Sequence, residues 1–417
     1  MRMPIRLLKN ATLQILVAIV CGVLLGVFDP ARAIAMKILS DGFIRVIGAL
    51  LPLMMFLLMA TGVAGLMGKG RSLTIKAAVY FQAMSLLSLA LGAAVALILH
   101  PGASHALALV DTPPAPVGGD PLGRYGSLLQ ASWSWPMAGS LLSSALGHSL
   151  ILQVMLAGLL VGLLLGHGGK AAGGLRDRLE QILALLFKWL RVLLLFAPIA
   201  AFGAMAFTLG KYGPGSTWPL LEFVAVMYLG CGLFILLVLA ALARAAGTRL
   251  TRLVLFVKEE LLLVVFTGSS VAALPGLVSK LQQLGCERQL VRLVLSTGYT
   301  FNLNGSNIYL TTAVLFLAQM AGIELSAVQI VTLLLIALIT SLGSTSMAGS
   351  AFFTLIATLD LLHLVPADSV GLLLGVERLM KCRSVTNVLG NCVACLVVAR
   401  WQKVLDRSAL DGALRTP

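Results

Sequence analysis

The sequence predicts an all-α, polytopic integral membrane protein, and three observations carry this. Apolar residues make up 59% of the 417 positions and charged residues only 11%, against roughly 45–50% and 25% in a soluble domain. The mean hydropathy is +1.00. Apolar stretches of about 20 residues, the length needed to cross a bilayer, recur along the whole chain, and the basic residues cluster in the gaps between them. This composition excludes a soluble enzyme, a disordered chain and a nucleic-acid binder. A net charge of +14, from 30 Lys and Arg against 16 Asp and Glu, would suggest nucleic acid on a soluble protein. Here the positive-inside rule accounts for it.

Regular spans are expected near residues 11–29, 43–68, 75–99, 140–166, 179–209 and 217–243. Arg2, Arg6 and Lys9 precede the first, and Ala31-Arg32-Ala33 resembles a cleavage site. The apolar run is nonetheless long for a signal peptide, so it is read as an uncleaved span. Lys69, Arg71 and Lys76 follow the second span, Lys170, Arg176 and Arg178 the fourth, and Arg244, Arg249, Arg252 and Lys258 the sixth. These gaps and the basic N-terminus mark the cytoplasmic side. The Pro/Gly/Ser-rich stretch 100–138, with Asp111 and Asp120, fits an external loop. Arg400, Lys403, Arg407 and Arg415 place the C-terminal tail inside. An even number of spans follows. After six, the apolar regions 261–279, 290–321, 326–358 and 369–399 supply either four spans or two spans and two re-entrant hairpins.

Two of these regions are interrupted. Residues 266–276 read Phe-Thr-Gly-Ser-Ser-Val-Ala-Ala-Leu-Pro-Gly, and residues 340–351 read Thr-Ser-Leu-Gly-Ser-Thr-Ser-Met-Ala-Gly-Ser-Ala. Gly, Pro and small polar residues in mid-segment free backbone amides and carbonyls, which membrane depth tolerates only inside protein or beside a water-filled cavity. A pair of such segments points to a transporter's binding site; helix packing through Ser and Gly is the alternative. Residues 297–306, Thr-Gly-Tyr-Thr-Phe-Asn-Leu-Asn-Gly-Ser, place two asparagines in a long apolar region, where burying them is costly unless they bind something. An unwound helix there would offer oxygens to a small hard cation, whereas interhelical hydrogen bonds are the plainer use.

The last apolar region holds Glu377, Arg378, Lys381, Arg383, Asn387 and Asn391. Arg383, Asn387 and Asn391 are spaced by four and share one helix face. Arg383 presents a fork that matches a carboxylate, so a bound anion is one partner for it and Glu377 is the other. Lys381 either faces the site or snorkels to headgroups, the second being favoured. Catalytic chemistry is not visible: His100, His105, His148, His167 and His363 form no ligand cluster, and Cys392-x-x-Cys395 reads as helix packing.

The chain resembles the dicarboxylate/amino acid:cation symporters, in particular the bacterial C4-dicarboxylate transporter branch, from about residue 11 to residue 408. Three stretches carry the resemblance: Leu284-Gly-Cys-Glu-Arg; the run from Thr297 to Thr311, Thr-Gly-Tyr-Thr-Phe-Asn-Leu-Asn-Gly-Ser-Asn-Ile-Tyr-Leu-Thr; and that from Ala197 to Gly213, Ala-Pro-Ile-Ala-Ala-Phe-Gly-Ala-Met-Ala-Phe-Thr-Leu-Gly-Lys-Tyr-Gly. The resemblance implies eight transmembrane helices plus two re-entrant hairpins, an elevator-type, glutamate-transporter-like fold, and a homotrimer in the bacterial inner membrane with both termini cytoplasmic. Residues 1–74 (spans one and two) and 101–215 (external loop, spans four and five) would form the scaffold. Residues 75–100 (span three) and 216–402 (span six, hairpin one, span seven, hairpin two, span eight) would form the transport domain, and 403–417 a cytoplasmic tail.

The same resemblance implies that Ser269, Ser270, Ser306, Met347, Arg383 and Asn387 bind substrate. Ser85, Thr300, Asn302, Asn304, Ser341, Ser344 and Asn391 would bind the cation. Departures from the family pattern matter here. Asn304 stands where the family has Asp in span seven, and Asn391 where sodium-coupled amino-acid members have Asp, so the cation site has lost both carboxylates. Neutral oxygens compete less well with a cation's hydration than a full charge does. Val271 replaces a hairpin Glu common in the branch. The chain is one residue short between Glu377 and Arg383, which on a continuous helix rotates everything before it by about 100°.

The expectation is a symporter for succinate, fumarate or malate, without a cofactor, coupled to H+ through Glu377 rather than to Na+. Alternatives are an uncoupled exchanger, a transporter of another small organic anion or acidic amino acid, a non-transporting carboxylate sensor, or an anion channel.

Overall fold

A computed structural model describes residues 11–67, 71–103, 150–168, 173–213, 215, 217–268, 270–344, 350–362, 370–374 and 376–414. The expected loop over 100–138 lies largely outside these residues. Among them there are helices and turns and no strand, apart from one isolated antiparallel bridge between Cys286 and Leu405.

Helix α1 (Ala11–Phe28) is followed by the short α2 (Pro30–Ala35), which Asp29 caps by accepting from the Arg32 amide at 3.1 Å. Helix α3 (Lys37–Met67) keeps Pro52 inside it, and α4 (Arg71–Leu99) is uninterrupted. Helices α5 (Leu150–His167), α6 (Gly173–Leu193) and α7 (Ala197–Tyr212) come next. The span expected over 179–209 is thus two helices. The break at Leu194–Phe196 is a tight 3₁₀ turn, and Pro198 sits in the first turn of α7, where its missing amide costs least.

Helix α1 packs on α7, and α5 packs on α3. The second contact is close because Gly158 and Gly162 face α3: a Cβ at Gly158 would lie 2.7 Å from the Phe56 carbonyl oxygen and one at Gly162 would lie 2.8 Å from that of Ala60. Small residues that let backbones approach are the usual way helices associate where lipid removes the hydrophobic drive.

Helix α8 (Thr217–Leu233) runs through a π-helical turn at Phe234–Leu239 into α9 (Ala240–Ala246), which Gly247 ends with φ 104°. Then come α10 (Leu250–Phe256), α11 (Lys258–Thr267), a 3₁₀ turn at Ser270–Ala273 and α12 (Leu274–Gln283). Lys280 joins the two arms of this first hairpin. It donates to the Phe256 carbonyl at 2.9 Å and lies 2.8 Å from Glu260 and 3.5 Å from Glu259.

Helix α13 (Arg288–Phe301) stops at Asn302, and α14 (Asn304–Met320) begins two residues later. Helices α15 (Ala327–Ser341) and α16 (Ser350–Leu362) pair, with Thr340 and Thr358 hydroxyls 2.8 Å apart. After α17 (Gly371–Leu374) and a 3₁₀ turn at Glu377–Leu379, α18 (Cys382–Trp401) is almost wholly buried. The last helix, α19 (Arg407–Ala413), packs on α12. Asp406 caps it and donates its own amide to the Gly285 carbonyl at 3.0 Å. The Ser408 hydroxyl, then the Ala409 and Ser408 amides, hold the Asp406 carboxyl below the usual carboxylate range.

Among the described residues three helices are long and apolar enough to cross a membrane: Ser72–Leu99, Thr217–Ala246 and Cys382–Trp401. Shorter apolar helices run over Leu13–Phe28, Pro52–Gly65, Gln153–His167, Ala327–Ser341 and Ser350–Leu362. Large apolar side chains such as Phe28, Leu164 and Leu236 stay mostly exposed. A lipid exterior accepts such a surface, whereas a monomer in water rarely carries it at this extent.

Candidate functional site

Three breaks in regular helix meet at the start of α18. The first is the Asn302–Leu303 step between α13 and α14, which both pack on α18. The second is Met380, where the chain leaves the 3₁₀ turn with φ −84° and ψ 58° before α18 starts. The third is the tip of the first hairpin. There the Ser384 hydroxyl donates to the Gly268 carbonyl at 3.4 Å and the Ser270 hydroxyl to the Ser384 carbonyl at 3.5 Å.

Arg383 is the charged centre. Its Nη2 donates to Glu377 Oε1 at 2.5 Å, and both side chains are about nine-tenths buried, at 11% and 10% exposure. Its guanidinium carbon lies 4.3 Å from the centroid of the Tyr309 ring, a cation–π stack. Nη1 is buried and has no hydrogen-bond partner. A guanidinium half-satisfied in this way is costly, because each unmet buried donor forfeits its hydration.

The pairing corrects one expectation. Six residues apart on a continuous helix, Glu377 and Arg383 would point about 120° apart. The chain is not one helix here: it unwinds at Met380, between the two residues, and Glu377 meets Arg383.

One turn along α18, Asn387 accepts from the Gly305 amide at 2.8 Å and the Ser306 amide at 3.3 Å, and donates to the Ser306 hydroxyl at 3.1 Å. It thus caps the new helix α14 from the side. This close approach needs Gly305: a Cβ there would collide with the Arg383 backbone.

A further turn along, Asn302 Nδ2 donates to Asn391 Oδ1 at 2.9 Å. Asn302, Asn304 and Asn391 are each 0% exposed, yet Asn302 Oδ1, both polar atoms of the Asn304 amide and Asn391 Nδ2 have no hydrogen-bond partner. Ser85 on α4 donates to the Phe301 carbonyl, at the unwinding point, at 3.4 Å. Unmet buried amides of this kind are exceptional.

The expected residues separate accordingly. Arg383, Asn387, Ser306 and Ser270 converge at the head of α18; Ser85, Asn302, Asn304 and Asn391 gather below them. Thr300 is half-buried next to the break. Ser341 and Ser344 lie at the end of α15; Ser341 bonds back to the Leu338 carbonyl at 2.8 Å, while the buried Ser344 hydroxyl has no hydrogen-bond partner. Ser269 and Met347 lie outside the described residues.

Two residues went unassigned from sequence. Tyr309 stands three positions after Ser306 and so shares its helix face, a signal that could have found it. Lys381, expected to snorkel toward headgroups, instead holds its ammonium against Gly268 at the hairpin tip.

Buried charge at the junction of unwound helices, in a helical protein with an apolar exterior, defines a membrane transporter for a small ion or anion. Comparison with known proteins names the kind. The description "Sodium:dicarboxylate symporter family" matches residues 11–401. The chain is 42% identical over 413 residues to the C4-dicarboxylate transport protein of Burkholderia pseudomallei strain K96243, covering 97% of this chain and 95% of that protein. The same identity and coverage hold for proteins of that name from Burkholderia thailandensis and Burkholderia mallei strain NCTC 10229. The chain therefore belongs to the sodium:dicarboxylate symporter family, and it is a transporter rather than an enzyme. Among the described residues no group of three or more His, Cys, Asp or Glu could hold a metal ion.

Proposed function

We propose that this protein takes up C4-dicarboxylates such as succinate, fumarate and malate across the bacterial inner membrane, coupled to H+ rather than Na+. The observation that carries the proposal is the buried Arg383, bonded to Glu377 through one terminal nitrogen and unpaired at the other. A carboxylate seeks both nitrogens of the fork, so substrate must displace Glu377. A displaced Glu377 would be a buried anion that has lost its bond to Arg383, which is unfavourable. Taking up a proton removes that cost, so substrate and proton enter together.

Asn387, Ser306, Ser270 and the hairpin residues Ser269 and Met347 complete the substrate shell in this reading. Ser85, Thr300, Asn302, Asn304, Ser341, Ser344 and Asn391 form the remnant of a cation site. Replacing carboxylates by amides there leaves Na+ only neutral oxygens, which favours the proton as coupling ion. The fold would carry its cargo as a trimeric elevator. Eight spans with both termini cytoplasmic would hold a scaffold of residues 1–74 and 101–215, a moving domain of residues 75–100 and 216–402, and the tail 403–417.

The test is equilibrium binding of succinate to the purified protein with proton release or uptake followed at the same time. One proton taken up per succinate bound supports the proposal. Binding that needs Na+ and moves no proton contradicts the coupling, and no binding of any C4 diacid contradicts the substrate.

A further inference from the structure

The turn that carries Glu377 is fastened to α8 by Tyr228. The Tyr228 hydroxyl donates to the Leu379 carbonyl at 2.8 Å. The same carbonyl accepts the Lys381 amide at 2.9 Å, which closes a three-residue turn around Met380. With φ −84° and ψ 58°, Met380 sits at the centre of an inverse γ-turn. Cys231, one turn further along α8, shares the face of Tyr228, and its thiol hydrogen-bonds that of Cys382, the first residue of α18. Two side chains of α8 thus bracket the unwound residue, Tyr228 before it and Cys231 after it.

The backbone explains why a donor is needed there. In a continuous helix the Leu379 carbonyl would accept from the Arg383 amide four residues on. Here that amide bonds the Met380 carbonyl instead, at 3.4 Å. Unwound backbone at membrane depth persists only where protein satisfies it, and the Tyr228 hydroxyl takes the place of the lost helical donor. The consequence falls on Glu377, at the other end of the same 3₁₀ turn. Arg383 Nη2 donates to it twice, to the side chain at 2.5 Å and to the carbonyl at 3.5 Å. Fixing Leu379 therefore fixes the short backbone segment from which Glu377 reaches Arg383.

We propose that Tyr228 is a positioning residue: it holds the Glu377–Leu379 turn to α8, so that Glu377 stays on Arg383 until a substrate carboxylate takes the fork. It acts through Glu377 and not on the substrate. This rests on the reading above, in which substrate displaces Glu377, and adds the residue that sets how readily Glu377 gives way.

The test is a double-mutant cycle on equilibrium succinate binding, at one fixed pH, with the wild-type protein, Tyr228→Phe, Glu377→Gln and the double variant. Tyr228→Phe keeps the ring and removes one neutral hydrogen bond that holds Glu377 in place, so succinate binds about two- to tenfold more tightly. In the Glu377→Gln background the same change moves affinity by less than about twofold, because the bond that Tyr228 protects is already weakened. A ring-fluorinated tyrosine at position 228 keeps both ring and hydroxyl and is the stronger donor, so it shifts succinate binding the other way, to weaker. Tightening of equal size in both backgrounds, unchanged or weaker binding in Tyr228→Phe, or tighter binding with the fluorinated residue overturns the proposal alone. A wild-type protein and a Glu377→Gln variant that bind succinate equally well overturn the displacement reading, and this proposal with it.

Discussion

Replacing Glu377 by Gln is the perturbation that separates a proton carrier from a structural counter-ion. In the wild type a substrate carboxylate must break the 2.5 Å bond from Arg383 Nη2 to Glu377. A hydrogen bond to a charged group contributes about 1.5–3 kcal/mol, and a neutral one about 0.5–1.5. Glu377→Gln keeps the shape and an acceptor oxygen but lowers the cost of displacement by about 1–2 kcal/mol. At 1.4 kcal/mol per decade succinate then binds roughly five- to thirtyfold more tightly. The unliganded protein pays for this, because the buried guanidinium loses its counter-ion at a cost of about 3–5 kcal/mol. Isothermal titration at mildly acidic and mildly alkaline pH, with thermal unfolding in parallel, reads both effects. The wild type binds more tightly in acid. The variant binds tightly at both pH values, melts earlier when empty and is rescued more strongly by succinate. A variant that keeps the wild-type pH dependence, or binds more weakly at both, refutes the displacement argument.

Other substitutions probe the rest of the site. Arg383→Lys keeps the charge but not the fork or the stack on Tyr309, so succinate affinity falls by about 2–3 kcal/mol in the same titration. Asn304→Asp returns a full charge to the amide cluster, and sodium-dependent succinate uptake appears or strengthens; tracer uptake with and without Na+ measures it. Gly390→Ala drives a methyl group into Asn304 Nδ2. Thermal unfolding reports about 1–3 kcal/mol of destabilisation.

Much of the site is legible in the chain because it depends on local rules. The Asn-Leu-Asn-Gly run announces the unwound step that the structure places at Asn302–Leu303. The spacing of Arg383, Asn387 and Asn391 by four aligns them on one buried face of α18. What stayed hidden depends on tertiary contact. Nothing in Leu379-Met380-Lys381 marks a helix break, so the turn that brings Glu377 to Arg383 could not be read from periodicity. Lys381 reads as a snorkelling residue by its type alone, and only the docking of Gly268 and Ser270 on α18 shows that its ammonium meets protein. The region 179–209 reads as one span because leucines continue through it; the 3₁₀ turn before Pro198 divides it.

The most direct measurement is uptake of labelled succinate by the protein reconstituted in liposomes, under an inward proton gradient, an inward sodium gradient, or neither. The account predicts accumulation with the proton gradient alone, abolished by Glu377→Gln while succinate counterflow persists. Accumulation driven by sodium, unaffected by Glu377→Gln, would contradict it: the amides of Asn302, Asn304 and Asn391 would then suffice as the coupling site, and the pair with Arg383 would be structural.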